Sequence, residues 1–222
     1  MTDASYPLTV TVLSWNIEGL KNHIYYLKDK LVDDCVDIAF LSEPQIFQYD
    51  LEDTMFSLRD HYNFILNSED LHCLDLPLTN SHAKGGTMVL WKKWLDPFII
   101  APPQPTSSSF LPIVLSLPSC RDSIHISVYL PTSGKDSEYT SALTDLQTCI
   151  EGLLEVYPDA LIYLRGDFNT NRNNSNRSTQ LSTFIKALNL TQTHIPHKTY
   201  HHFVGQGKFD SNIDLIMHSK CV

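Results

Sequence analysis

Two stretches of this chain repeat one pattern, an amphipathic helix followed at once by a short apolar run, and that repetition limits the folds open to it. In the first, Ile24, Leu27 and Leu31 recur at helical spacing and lead into Val36-Asp-Ile-Ala-Phe-Leu41. In the second, Ser137 to Tyr157 carries Leu143, Leu146, Ile150, Leu153 and Leu154 on one stripe, is stopped by Pro158, and leads into Ala160-Leu-Ile-Tyr-Leu164. A strand precedes the first helix: Leu8 to Ile17 alternates apolar and polar residues at its start and is rich in β-branched residues. Strand, helix, strand with a connection of this length permits a crossover between parallel strands of one sheet.

Between the repeats lie short predicted strands bounded by Pro and Gly, at 62–66, 87–91, 98–101, 113–117 and 124–130. A last helix is predicted from a cap at Ser178 through Leu181, Phe184, Ile185 and Leu188, and a closing strand from Phe209 to Met217. Two such halves pack most economically as two sheets face to face with helices on the outside, a four-layer α/β sandwich. At 222 residues, with no dividing linker, one domain spanning 1–222 is the expectation.

Composition narrows the function classes. A formal net charge of −9 opposes a module that holds nucleic acid by bulk electrostatics, which needs clustered Lys and Arg. It is compatible with an acidic site whose sign a bound cation reverses. Five dispersed cysteines without a C-x-x-C pair fit unpaired thiols and an intracellular location. No run of residues has the length and apolarity expected of a membrane span or an export signal.

Polar residues of the kind that bind a divalent ion or a phosphate stand at the ends of the predicted strands. Trp15-Asn16 closes the first strand and Leu41-Ser42-Glu43 the second; Tyr129-Leu130-Pro131 closes a later one; Gly166-Asp167-Phe168-Asn169 follows the apolar run at 160–164; Ser211-Asn212-Ile213-Asp214 lies in the last. Alone, Gly-Asp-x-Asn reads equally as an Asx turn, Glu43 as a loop acid, and Tyr129 as a rim aromatic. Their order along the chain resembles the endonuclease/exonuclease/phosphatase superfamily, the DNase I-like enzymes. Thr199-Tyr200 before a glycine-containing hairpin, and Ile213-Asp-Leu-Ile216 followed by Ser219-Lys220, look most like the apurinic-endonuclease-like endonuclease domain of a non-LTR retrotransposon.

That resemblance implies an α/β/β/α sandwich of two mixed sheets and a metal-dependent phosphodiesterase that nicks target DNA by attack of water. Glu43 with Asn16 would hold Mg²⁺, with Mn²⁺ as a substitute. Asp167 would orient or deprotonate the water, Asn169 would donate to a phosphate oxygen, and Tyr129 would position the phosphate or assist the leaving group. Thr199 and Ser211 would be minor phosphate contacts. Arg172 and Arg177, in the Asn-rich stretch 169–177, and Lys208, in the hairpin, are candidate contacts to a nucleic-acid backbone, with a solvated loop as the competing reading.

The resemblance also implies a target DNA duplex as partner, work in the nucleus, and a reverse transcriptase region in the same parent polypeptide. Asp214 matches a carboxylate that orients a histidine in a Ser-Asp-His segment expected further along; these 222 residues do not include that segment, so truncation at the C-terminus is expected. His218 is no substitute, because four residues of strand put it roughly 13 Å from Asp214. A small-molecule phosphatase of the same fold, and a catalytically impaired copy acting as a binding module, are the alternatives.

Overall fold

The computed structural model describes residues 9–68, 83–170, 175–194, 200–204, 207–211 and 214–219, with 175, 200–204 and 207–211 described by backbone alone. The first half forms one four-stranded sheet. Strand β1 (Val12–Asn16) is joined to its parallel neighbour β2 (Ile38–Ser42) through helix α1 (Leu20–Asp33), the crossover that a parallel pair requires. After α2 (Gln48–Met55), β3 (Tyr62–Asn67) and β4 (Thr87–Lys92) add antiparallel, giving the order β1-β2-β4-β3.

The second half repeats the plan. Strands β5 (Ile99–Ile100), β6 (Phe110–Leu115) and β7 (Ser123–Tyr129) pair antiparallel. Helix α3 (Asp136–Val156) then carries the chain across to β8 (Leu161–Asp167), which lies parallel to β7. Helix α4 (Ser175–Ala187) and β9 (Leu190–Gln192) follow. The hairpin of β10 (Tyr200–Val204) and β11 (Gly207–Ser211) stands as a separate two-stranded unit. Strand β12 (Asp214–Ser219) inserts between β8 and β9 and completes the order β5-β6-β7-β8-β12-β9.

Three apolar layers hold four structural layers together. Leu20, Ile24, Leu27 and Leu31 of α1, spaced to share one face, pack with Leu51 and Met55 of α2 on the outer side of the first sheet. Leu146 and Ile150 of α3 and Phe184 of α4 cover Ile124, Ile126 and Leu164 on the outer side of the second. Ile38, Phe40, Val89, Ile113 and Leu115 fill the space between the sheets. Strand β2 is buried along its whole length, which explains its unbroken apolar run.

The sandwich expected from the sequence is therefore present, with local differences. Helix α4 begins at Ser175 rather than at a cap on Ser178, because Arg177 must sit in its first turn to reach the groups described below. The single closing strand expected over 209–217 is two strands, β11 and β12, which belong to different sheets. Among the described residues no helix is long and apolar enough to cross a membrane.

Candidate active site at the rim of both sheets

The topology gathers the polar strand ends at one place. Parallel strands finish on the same side, so Asn16 ends β1 beside Ser42, which ends β2, and Tyr129 ends β7 beside Asp167, which ends β8. Strand β12 runs the other way, so its first residue, Asp214, pairs with Asp167. With Glu43 directly after β2 and Asn169 two residues after the end of β8, five strands from two sheets deliver six side chains to one rim.

Hydrogen bonds join the two sheets there. Asn16 Nδ2 donates to Glu43 Oε1 at 2.9 Å and to Asp167 Oδ2 at 3.4 Å. Gln45 Nε2 donates to the other Glu43 oxygen at 2.9 Å. The Asn169 N–H donates to Asp167 Oδ1 at 2.7 Å, and Asn169 Nδ2 donates to the Leu130 carbonyl at 2.7 Å, leaving its second amide hydrogen for another acceptor. Glu43 and Asn169 hold φ of 52° and 45°, a left-handed conformation that non-glycine residues seldom adopt and that recurs where a side chain is aimed at a site.

Two glycines make the rim possible. At Gly166 (φ 134°) a Cβ would lie 2.0 Å from the Val128 carbonyl oxygen, so only glycine lets β8 approach β7 this closely just before Asp167. At Gly85 (φ 55°) a Cβ would come within 2.9 Å of the Tyr129 ring, so the absence of a side chain there gives the tyrosine its place.

Asp167 is 2% exposed, and burial above all pushes its pKa up to about 7. The nearby Asp214 and Glu43 carboxylates push the same way, while the Asn169 N–H and the Asn16 amide oppose them. A carboxylate so placed exchanges its proton near neutral pH and can serve as a base. The donor set also suits a hard divalent cation, since the carboxylates of Glu43, Asp167 and Asp214 gather beside the Asn16 amide, whose oxygen accepts the Glu18 N–H at 3.3 Å. Among the described residues no three His, Cys, Asp or Glu groups converge tightly enough to form a cage by themselves.

Beside this cluster a cleft of about 410 Å³ is lined by Glu43, Gln45, Lys84, Tyr129, Thr132 and Lys135, among others. Lys84, Lys135 and Gln45 escaped the sequence reading; Gln45 carried a signal in its place two residues after Glu43, the lysines none beyond their charge. His218 pairs with Tyr163, four positions along β12 from Asp214, and is no part of the rim.

The other expected contacts divide. Arg177 is not available to a nucleic acid. It is 1% exposed, and its guanidinium is enclosed by Asp136 and the carbonyls of Pro131, Thr132 and Asn169. Burial on these acceptors replaces the solvated position expected from its polar neighbours. Arg172 and Thr199 lie outside the described residues; Ser211 and Lys208 sit on β11, with their side chains outside them as well.

No protein-family model and no curated protein matches the sequence. Solved structures do match. The endonuclease domain of TRAS1, a telomere-specific non-LTR retrotransposon, superposes with a TM-score of 0.69 at 15% identity, over 96% of this chain and 86% of that one. The 3′ phosphatase NExo from Neisseria, bound to product DNA hairpin, gives 0.66 at 14%, over 95% and 87%. The human Nocturnin catalytic domain, with a bound sulfate anion, gives 0.65 at 14%, over 95% and 83%. With its two mixed sheets, flanking helices and these matches along nearly its whole length, the chain has the DNase I-like fold.

Proposed function

We propose that this protein is a phosphoester hydrolase of the DNase I-like fold, and specifically a Mg²⁺-dependent endonuclease that nicks duplex DNA. The observation that carries the reading is the meeting of Asn16, Glu43, Asp167, Asn169, Tyr129 and Asp214 on one rim built from both sheets. The likeness to a retrotransposon endonuclease and to a phosphatase bound to a DNA hairpin supports it.

Glu43 and the Asn16 amide would hold the Mg²⁺, which when bound supplies Lewis-acid polarisation of a phosphate oxygen. Asp167 takes the proton of the attacking water, and Asp214 beside it raises the affinity for that proton. The free amide hydrogen of Asn169 donates to a non-bridging oxygen as negative charge grows there, and Tyr129 fixes the phosphate from the cleft side. Nicking of target DNA for retrotransposition, in the nucleus and as part of a polypeptide that includes a reverse transcriptase, is the biological setting that we infer.

The test is conversion of supercoiled plasmid to open circles with Mg²⁺, with EDTA, and with Asp167→Asn. Nicking is expected only with metal and to fall by about 10²–10⁴ in the variant, the range for losing a general base. Plasmid left intact while a 3′-phosphorylated oligonucleotide or an inositol phosphate is hydrolysed would replace the endonuclease by a phosphatase of the same fold.

A further inference from the structure

The inward faces of β7 and β8 carry Ser123, His125, Ser127, Tyr163, Arg165 and Asp167, and they bury a cation, two residues before Asp167, whose guanidinium meets His125 and Tyr163 and no counter-charge. Arg165 is 8% exposed. Its guanidinium lies between two rings, 5.0 Å from the centroid of Phe40 and 5.2 Å from that of Tyr163. Arg165 Nη1 donates to His125 Nδ1 at 2.8 Å, which puts the imidazole proton on Nε2, where it is donated to Ser123 Oγ at 2.8 Å. The Ser123 hydroxyl in turn reaches the Leu115 carbonyl at 3.4 Å. Every member of this chain after the arginine is neutral; burial and the adjacent guanidinium hold the His125 pKa down to about 3.

Among the described residues no carboxylate pairs with Arg165 and no acceptor meets its Nε or Nη2. Neither atom is sealed off, since among the described residues the fully buried side-chain atoms without a partner are Ser42 Oγ and Ser68 Oγ. Both belong to a guanidinium that lines a cavity of about 490 Å³ between the sheets. The remaining wall is largely apolar, with Val10, Val12, Leu115, Leu117 and Leu161, and Arg121 contributes an exposed second cation. An apolar wall beside a few fixed polar groups, here Arg165 with His125, Ser123 and Tyr163, is the usual form of a small-molecule site.

We propose that this cavity binds an aliphatic carboxylate, its two oxygens on the guanidinium of Arg165 and its hydrocarbon tail along the valine and leucine wall. The planar fork of an arginine matches the edge of a carboxylate, and one monoanion balances one cation. A phosphate would bring a second charge to a wall whose other cation lies out at the surface. The site is independent of the metal and of the catalytic reading above.

The experiment is an NMR titration of the whole chain, ¹³C-labelled in its histidine rings, followed at His125. Octanoate, octanol, acetate and inorganic phosphate are the probes. Octanoate should bind saturably and at least about tenfold more tightly than octanol or acetate, which lack the charge and the tail respectively. Arg165→Met should weaken octanoate by about tenfold or more and leave octanol unchanged. If that variant does not fold, Arg165→Lys, which keeps the charge and loses the fork, should weaken octanoate several-fold. Absence of saturable binding, saturation by phosphate with octanoate silent, or undiminished octanoate affinity in the folded variants would each overturn the proposal.

Discussion

The molecule buries two arginines and surrounds them in opposite ways. Arg177 donates through Nε to Asp136 at 2.7 Å, through Nη1 to the carbonyls of Pro131 at 2.7 Å and Asn169 at 3.2 Å, and through Nη2 to that of Thr132 at 2.7 Å, while lying 4.4 Å over the Tyr139 ring. Arg165 has one neutral imidazole and two aromatic faces. The first arginine ties the turn after β7, the start of α3 and the turn after β8 into one piece, and those turns flank Tyr129 and include Asn169. The second does nothing comparable for the backbone. A guanidinium saturated by the chain's own acceptors is a structural staple, whereas one left with free donors in a cavity is available to something else.

The largest effect that would break this contrast is the removal of Arg177. Arg177→Met leaves three carbonyls and Asp136 without their donor, and we expect a loss of about 3–5 kcal/mol in urea unfolding, since each carbonyl that loses its donor costs about 1–3 kcal/mol. Plasmid nicking should fall with it, because the Asn169 turn loses its anchor. A loss below about 1 kcal/mol would put Arg177 among ordinary surface ion pairs and dissolve the difference. The ion pair itself is the smaller part: the Asp136 side chain is 58% exposed, so Asp136→Asn should cost no more than about 1 kcal/mol.

The second effect in size concerns the neighbour of Arg165. His125 has a pKa near 3 in the fold against an ordinary 6.5, so between those values the unfolded chain binds more protons than the folded one. Stability should therefore hold above pH 6.5 and fall as the pH drops below it. Between pH 6 and pH 4 the wild type should lose about 2 kcal/mol more than His125→Gln, at most about 1.4 kcal/mol per pH unit. Parallel pH profiles for the two proteins would mean that the ring is not held neutral, and the hydrogen bond from Arg165, which needs a bare Nδ1 as its acceptor, would not be made.

How much of this was legible in the sequence depends on whether the signal is local. The stripe of α3 and the unbroken burial of β2 follow from periodicity, and Gly166-Asp167-Phe168-Asn169 was visible as a polar turn closing an apolar strand. Helix α2 was missed because two buried residues, Leu51 and Met55, make no period, and β9 because three residues make no alternation. Arg177 is illegible for a different reason. Its stretch is rich in asparagine and looks solvated, while the groups that bury it come from more than forty residues away in sequence, at Pro131, Thr132 and Asp136. Arg165 carries a local signal, a charge inside a strand that runs on to Asp167, but the apolar run itself ends at Leu164. Lys84 and Lys135 meet in the cleft only through tertiary packing.

The smallest expected effect is the sharpest test of the contrast. Arg165→Met removes a cation that the fold buries without compensation, and an apolar side chain of similar length can occupy the space between Phe40 and Tyr163. Against that gain stand two cation–π contacts, each worth about 0.5–2 kcal/mol, and an unmet acceptor at His125 Nδ1 of about 1–3 kcal/mol. Removing a buried charge recovers several kcal/mol of desolvation, so the terms offset and the net change in urea unfolding should stay within about 1 kcal/mol of zero. The same substitution therefore distinguishes the two sites: costly at Arg177, nearly neutral at Arg165. A loss of 3 kcal/mol or more at Arg165 would make it a second staple, and the cavity beside it would then be a packing feature in which the guanidinium has no ligand to meet.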